Sequence, residues 1–403
     1  MILPPLVTVI GAGAAGMFAA IRASETLPAR ILVLEQSQQL LSKVKISGGG
    51  RCNVTHSCFD PKELIKNYPR GNKELQAPFT RFQPQDTVNW FESRGVKLKT
   101  EEDGRMFPIT NDSQTIIDCI MNAAALGKVE IRRGAAVVKI TRVQNGFEIL
   151  LRSGEKILTE KIMLATGGTK QGHRLAEELG HTIVPPVPSL FTFNIPNSPL
   201  EPIIGVSVDP VKVSLKEFNM EQRGPLLVTH WGLSGPVVLK LSAWAARKLF
   251  ECEYQTTCQV DFLPDLSVDQ LRNLLLETSK QGVGKPVSNT PIGNLPRRLW
   301  KLLVNDDKIL WRNFSKKGME LLIEKLKCSS YQISGKTTYK NEFVTAGGVK
   351  LSEVNFKTME SRITPGLYFG GEILDIDGVT GGFNFQAAWT TGWLAGGAMA
   401  NNA

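Results

Sequence analysis

Six cysteines in 403 residues, at positions 52, 58, 119, 252, 258 and 328, are too few and too scattered to build a disulfide framework. Neither Cys52/Cys58 nor Cys252/Cys258 has CxxC redox or metal-ligand spacing, so no metal site is expected, and the compartment reads as reducing and cytoplasmic. There is no internal repeat and no low-complexity tract, which excludes solenoid and disordered architectures. Residues 2–21 lack charge, yet no Lys or Arg precedes them and they hold Pro4, Pro5 and three glycines. That composition suits a βα unit better than a signal peptide or membrane anchor, so no membrane role is expected. The sequons at Asn53, Asn111 and Asn313 then never meet the glycosylation machinery.

What is present is ordinary globular composition, 42% hydrophobic and 21% charged, in a length suited to two or three domains. The net charge of +9 is uneven: residues 291–344 alone carry +6, with Arg297, Arg298, Lys301, Lys316, Lys317, Lys325 and Lys327 prominent. Such a face could meet nucleic acid or an anionic substrate. Sparse aromatic interleaving favours the plainer reading of a solvated basic helical surface.

The most informative motif lies at the start. Val7-Thr8-Val9-Ile10 runs into Gly11-Ala12-Gly13-Ala14-Ala15-Gly16, and Glu35 follows nineteen residues after the last glycine, closing Ile31–Leu34. Strand, glycine turn, helix, strand and acidic residue form a dinucleotide-binding fingerprint. Gly11 permits the turn, Gly13 lets backbone approach a pyrophosphate, and Gly16 lets the helix pack on the strand. Glu35, with Gln36 beside it, suits a ribose hydroxyl.

Beyond this unit, Ser42–Thr55 is Gly-rich around Gly48-Gly49-Gly50-Arg51, and residues 60–128 read as mostly helical, with an amphipathic helix at Thr115–Ala125. Short β runs follow at Val129–Arg132, Ala135–Val143, Gly146–Arg152 and Lys156–Leu158, a small antiparallel meander ending in the strand Lys161–Ala165. Pro185, Pro186 and Pro188 mark a stiff break. The expected order is a first cofactor-domain part at 1–190, a β-rich insert at 191–264, a helical insert at 265–327, more β insert at 328–344, and a second cofactor-domain part at 345–403. The fold class is therefore α/β: a split Rossmann-like domain carrying a β-barrel-like insert that itself carries a small helical piece.

Which dinucleotide is bound depends on later segments. Ala165-Thr166-Gly167-Gly168 closes a strand after the meander, and two hundred residues on come Gly370-Gly371-Glu372 and Gly378–Asn384. This arrangement resembles the two-dinucleotide-binding-domain flavoproteins. Further blocks narrow the likeness: Ser47–Thr55, Gly104-Arg105-Met106-Phe107-Pro108, Thr229–Pro236, Thr345-Ala346-Gly347-Gly348-Val349 and Gly371–Gln386 resemble those of the BaiN/YhiN-like bacterial flavoprotein family over essentially the whole chain. Two small departures are His56, where that block usually continues with Asn, and Met106, where Val is common.

The resemblance implies FAD as cofactor and an NAD(P)/FAD-type oxidoreductase, with activities in the family that include enone reduction and amine oxidation. It implies cofactor contacts for Gly11 to Gly16, Glu35, Gln36, Gly48, Gly49, Gly50, Arg51, Cys52, Asn53, Ala165, Thr166, Gly167, Gly168, Gly371, Glu372, Gly381, Gly382, Phe383 and Asn384. Arg51 suits the pyrophosphate and Glu372 the ribityl hydroxyls, while a helix opening at Gly381-Gly382-Phe383 could aim N–H groups at the flavin. Cys52 is a small core residue or a redox thiol; no resolving cysteine is near. Val137 is a backbone partner for adenine or simple core.

Catalytic expectations fall on His230, as a proton donor, and Arg105, as a carbonyl or carboxylate ligand. The alternatives are a turn histidine and a structural ion pair. Tyr339 and Glu342 are weaker substrate-side choices. No second GxGxxG exists, since Gly282-Val283-Gly284-Lys285 lacks a preceding strand, so NAD(P)H is expected only as a transient donor. The expected function is hydride transfer between flavin and a small carbonyl, enone or amine. An RNA-directed flavoenzyme and a non-catalytic flavin sensor are the alternatives.

Overall fold

The computed structural model describes residues 7–26, 30–337 and 344–401 and divides into two compact units, Met1–Val187 with Lys340–Ala403, and Pro188–Tyr339. Tyr339 and Glu342 lie outside the described residues.

In the first unit Val7–Ile10 is central, paired in parallel with Ile31–Leu34 on one side and Lys161–Leu164 on the other. Leu367–Phe369 continues the sheet beyond Lys161–Leu164, and Glu130–Arg132 beyond Ile31–Leu34. The four inner strands are buried at every position, which explains why they are apolar apart from Thr8 and Lys161: a parallel sheet covered on both faces leaves no polar side. Glu130–Arg132 thus belongs to this sheet and not to the meander, which is confined to Val137–Val143, Gly146–Leu151 and Lys156–Thr159. Its three residues are too short for alternation to reveal which sheet they join.

Two helices lie against each other on this sheet. The fingerprint helix Ala14–Thr26 packs along the terminal helix Phe383–Asn401. A Cβ on Gly392 would stand 2.4 Å from Ala15 O, and one on Gly396 2.3 Å from Ala19 O. Glycines one turn apart therefore let the two backbones touch. Phe18 and Trp389 pack beside them, their rings tilted by 42° with centroids 4.6 Å apart.

The terminal segment is also tied to the N-terminal part by polar groups. Buried Gln386 accepts from Thr55 Oγ1 (2.6 Å) and Thr87 Oγ1 (2.9 Å) and donates to Thr390 Oγ1 (3.1 Å). Trp389 Nε1 donates to Val54 O (2.9 Å), and Arg70 pairs with the buried carboxylate of Asp377. A three-stranded sheet of Thr55–His56, Leu98–Thr100 and Arg105–Pro108 interrupts the stretch read as mostly helical.

The proline-rich stretch carries the boundary between the units, after Val187, and is also a strand: Ile183–Ser189 pairs with Val344–Val349. A two-stranded pairing is all edge, where missing proline N–H groups are tolerated. Gly347 is required there, because its Cβ would lie 2.6 Å from Pro185 O.

The second unit holds a seven-stranded sheet that begins with Ser329–Ser334 and ends with Lys336–Thr337. These are successive parts of one segment, so the sheet returns to its own starting chain and closes like a barrel. Helices Val268–Gln281, Arg297–Val304 and Lys316–Cys328 account for the change of period after residue 264. They share one hydrophobic core with the sheet, in which Leu271, Trp300 and Leu326 join Val213, Val260 and Ile333. Two further helices, Pro236–Trp244 and Ala246–Glu251, fall inside the stretch read as β. The run Val237-Val238-Leu239 has strand composition, but Gly235-Pro236 starts a helix there.

Candidate cofactor site

The three fingerprint glycines are needed for three different reasons. Gly11 has φ +104° and a Cβ on it would meet Ala165 O at 2.5 Å. A Cβ on Gly16 would stand 2.0 Å from Gly11 O, so this glycine closes helix onto turn. Around a Cβ on Gly13 there is nothing within 4 Å. Only Gly13 opens on free space. Ala12 and Ala15 are buried and Ala14 half-buried.

Glu35 stands at the end of the second strand with both carboxylate oxygens engaged, accepting from Ala12 N and Ser37 N at 2.9 Å each. It therefore braces the fingerprint turn as well as facing its mouth. Gln36 beside it is exposed. The Ala165–Gly168 turn is joined to the first strand, Val7–Ile10, by Ala165 N donating to Ile10 O (2.9 Å). Gly167 is left-handed with open space around it, and the buried Thr166 Oγ1 has no hydrogen-bond partner.

The second glycine loop is left-handed throughout: φ is +58°, +68° and +85° at Gly48, Gly49 and Gly50. Gly48 lies against the Phe107 ring, whereas Gly49 and Gly50 face open space. Successive N–H groups in such a turn make an anion-binding concavity. Arg51 does not point its charge freely into it. Its guanidinium pairs with Glu101 Oε1 at 2.6 Å and lies 4.0 Å over the Phe107 ring. Cys52 is fully buried, and burial pushes its thiol up to about 12. A thiol held in that form is inert, in keeping with the core reading of this residue. Asn53 accepts from Gly382 N (2.9 Å) and donates to Thr55 O (3.0 Å), joining the loop to the C-terminal segment.

That segment returns beside the fingerprint. A Cβ on Gly371 would lie 3.0 Å from Ala15 Cβ, and the Gly371 N–H donates to Thr391 Oγ1 at 2.9 Å. Glu372 forms an ion pair with Lys43. Gly381 and Gly382 have φ of +131° and +94°, and the terminal helix starts at Phe383. Asn384 clasps the preceding loop by exchanging two bonds with Gly378, at 2.8 and 2.9 Å. Phe383 stacks on His56, the unusual residue of its block, at 4.7 Å. Val137 is buried, and its carbonyl accepts from Gln171 Nε2 at 2.9 Å.

The two catalytic expectations fare differently. Arg105 Nε bonds Asp103 Oδ2 at 2.7 Å and its Nη2 bonds Glu101 Oε2 at 3.0 Å. Glu101 thus holds both Arg51 and Arg105, and the structural ion pair is the alternative displayed. His230 is exposed at a turn of the second unit, 4.7 Å from the Trp231 ring, itself 48% exposed.

Sequence reasoning missed Lys43 and Gln386. Lys43 carried a signal, a cation five residues before Gly48 of the glycine loop. Gln386 carried none, because its partners are some three hundred residues away.

A parallel sheet whose central strand opens into a glycine turn, with a distant C-terminal segment packed on that turn, defines a split Rossmann-type nucleotide-binding protein. The family of HI0933-like proteins with a Rossmann domain matches residues 5–398. The chain belongs to that family, the BaiN/YhiN-like group of FAD-dependent oxidoreductases. It is 31% identical over 399 residues to a ribosomal RNA dihydrouridine synthase of Escherichia coli, covering 96% of this chain and 95% of that protein. It is 29% identical over 408 residues to a 3-dehydro-bile acid delta(4,6)-reductase of Clostridium scindens, covering 97% and 98%. Among solved structures, a 3-ketosteroid-delta4-(5alpha)-dehydrogenase of Rhodococcus jostii shares the fold, with a TM-score of 0.52 at 14% identity over 98% of this chain and 97% of that one. No helix among the described residues is long and apolar enough to cross a membrane.

Proposed function

We propose that this protein uses FAD to reduce a carbon–carbon double bond conjugated to a carbonyl, with NAD(P)H as a transient donor. The observation that carries the reading is chemical and common to two full-length relatives. Dihydrouridine arises by saturating the C5–C6 bond of uracil, which is conjugated to its C4 carbonyl. A delta(4,6)-reductase acting on a 3-dehydro bile acid saturates a bond conjugated to the 3-oxo group. Both are hydride additions to an electron-poor alkene with a proton delivered to the neighbouring carbon.

The residues present fit the cofactor. Gly13, Gly49, Gly50 and Gly167 have no neighbour where a side chain would stand, which leaves backbone N–H groups open to a ligand. In this proposal the fingerprint helix and the left-handed glycine loop hold the pyrophosphate through N–H groups, and Glu35 holds the adenosine ribose. Gln36, Ala165 and Gly168 line the adenosine half with Val137. Glu372 takes the ribityl hydroxyls, while Asn53 and Asn384 fix the Gly381-Gly382-Phe383 turn at the ring end. When bound, FAD supplies a two-electron hydride carrier.

A second reading, that the alkene is a uracil in RNA, is favoured by the 31% identical relative and by the charge of the helical piece. Arg297, Lys301, Lys316 and Lys317 are exposed there, and none is ion-paired among the described residues. The purified protein should carry a flavin spectrum bleached anaerobically by NADH or NADPH. It should then be reoxidised stoichiometrically by a small cyclic enone, by unmodified ribosomal RNA, or by both. Reoxidation by an amine-derived imine alone, or no flavin at all, would sink the proposal.

A further inference from the structure

Resting on the FAD reading, one ion pair at the site calls for a role of its own. Lys43 lies on the short helix Ser42–Ile46, placed against the fingerprint turn by Leu41 N donating to Ala12 O at 3.0 Å. Its partner Glu372 follows Gly371, which sits on Ala15 of the fingerprint helix. The Glu372 carbonyl oxygen in turn lies 3.8 Å from a Cβ built on Gly168. The pair therefore stands where all three cofactor segments meet: the fingerprint, the Thr166 turn and the C-terminal return.

A carboxylate at that junction is an electrostatic liability for a protein that must bind a pyrophosphate. Like charges a few ångströms apart repel strongly when partly desolvated, and Glu372 is only 17% exposed. Arg51, the cation expected to compensate, is already neutralised by Glu101. Lys43, half-exposed, is the cation that the fold delivers to Glu372 itself.

We propose that Lys43 is a cofactor-positioning residue. It offsets the Glu372 charge against the pyrophosphate and holds that carboxylate still as an acceptor for cofactor hydroxyls. The role differs from direct phosphate binding, and the difference can be measured: a compensating lysine becomes dispensable once the carboxylate is gone.

The test is FAD titration of the deflavinated protein by fluorescence quenching, with melting of the apoprotein as the control for folding. Lys43→Met should weaken FAD binding about tenfold or more. The apoprotein should melt nearly unchanged, because an exposed ion pair contributes little to stability. Adding Glu372→Gln to Lys43→Met removes the charge that needs offsetting, so the double variant should bind FAD more tightly than Lys43→Met alone. Lys43→Arg, which keeps the charge, should retain FAD. Wild-type affinity in Lys43→Met overturns the inference, and so does a double variant as weak as Lys43→Met. A tenfold loss in folded Lys43→Arg would overturn it equally. Failure of the wild-type apoprotein to take up FAD would instead overturn the cofactor reading beneath it.

Discussion

The glycines of the fingerprint can be separated by a single methyl group. In Gly16→Ala the added carbon would lie 2.0 Å from Gly11 O and 3.2 Å from Ala165 Cβ. Backbone oxygen cannot rotate away, so helix and strand must part, and overpacking of this kind costs about 1–3 kcal/mol or more. In Gly13→Ala the same carbon meets nothing within 4 Å. Gly13 is not left-handed, so alanine there should leave stability within about 1 kcal/mol of wild type. The methyl does, however, occupy the space in which a pyrophosphate must approach the helix N-terminus, and a loss of about a hundredfold in FAD affinity is expected. Thermal melting of apoprotein together with FAD titration separates the two effects. Gly16→Ala should melt lower, and Gly13→Ala should melt normally yet bind FAD poorly. A Gly13→Ala protein that binds FAD like wild type would refute the placement of the cofactor at this turn. One that melts as low as Gly16→Ala would refute the steric argument.

Three further outcomes are expected. Replacing Gln386 by Ala strands the hydroxyls of Thr55 and Thr87 and leaves a cavity, at a cost of about 3–5 kcal/mol, whereas Gln386→Met, which fills the space, should cost less; chemical denaturation measures both. Cys52, with its thiol near 12, should resist alkylation at pH 8 in the native protein and react once unfolded, and rapid native labelling of Cys52 by mass spectrometry would contradict its inert placement. Burial lowers the basicity of His181 despite Glu353 3.2 Å away, so the unfolded chain binds that proton more tightly. Stability from this residue should be full above the unfolded value of about 6.5 and decline as pH falls toward the lowered folded value; His181→Gln should flatten the pH dependence of melting below about pH 6.5.

Much of the cofactor domain was legible from local pattern. The strand Val7–Ile10, the turn after it and the acidic Glu35 are close in sequence, so spacing alone carries their geometry. The terminal helix, expected to open at Gly381-Gly382-Phe383, runs Phe383–Asn401, with Asn384 clasping the loop before it. The helices after residue 264 showed in their leucine spacing. Errors arose where local composition is ambiguous. Pro236–Trp244 and Ala246–Glu251 are helices inside the stretch 191–264 read as β-rich.

Turn chemistry is written in residues that are neighbours, so local pattern is enough to declare the dinucleotide fingerprint near the start of the chain and the glycine-rich segment near its end. Tertiary structure alone decided how those halves are held together and where their charges go. Arg51 is claimed by Glu101 and Lys43 by Glu372, while Gln386 bonds Thr55 and Thr87 and Gly392 and Gly396 admit the fingerprint helix. Each is a pairing between residues distant in sequence, and no local propensity encodes which distant partner a side chain will meet.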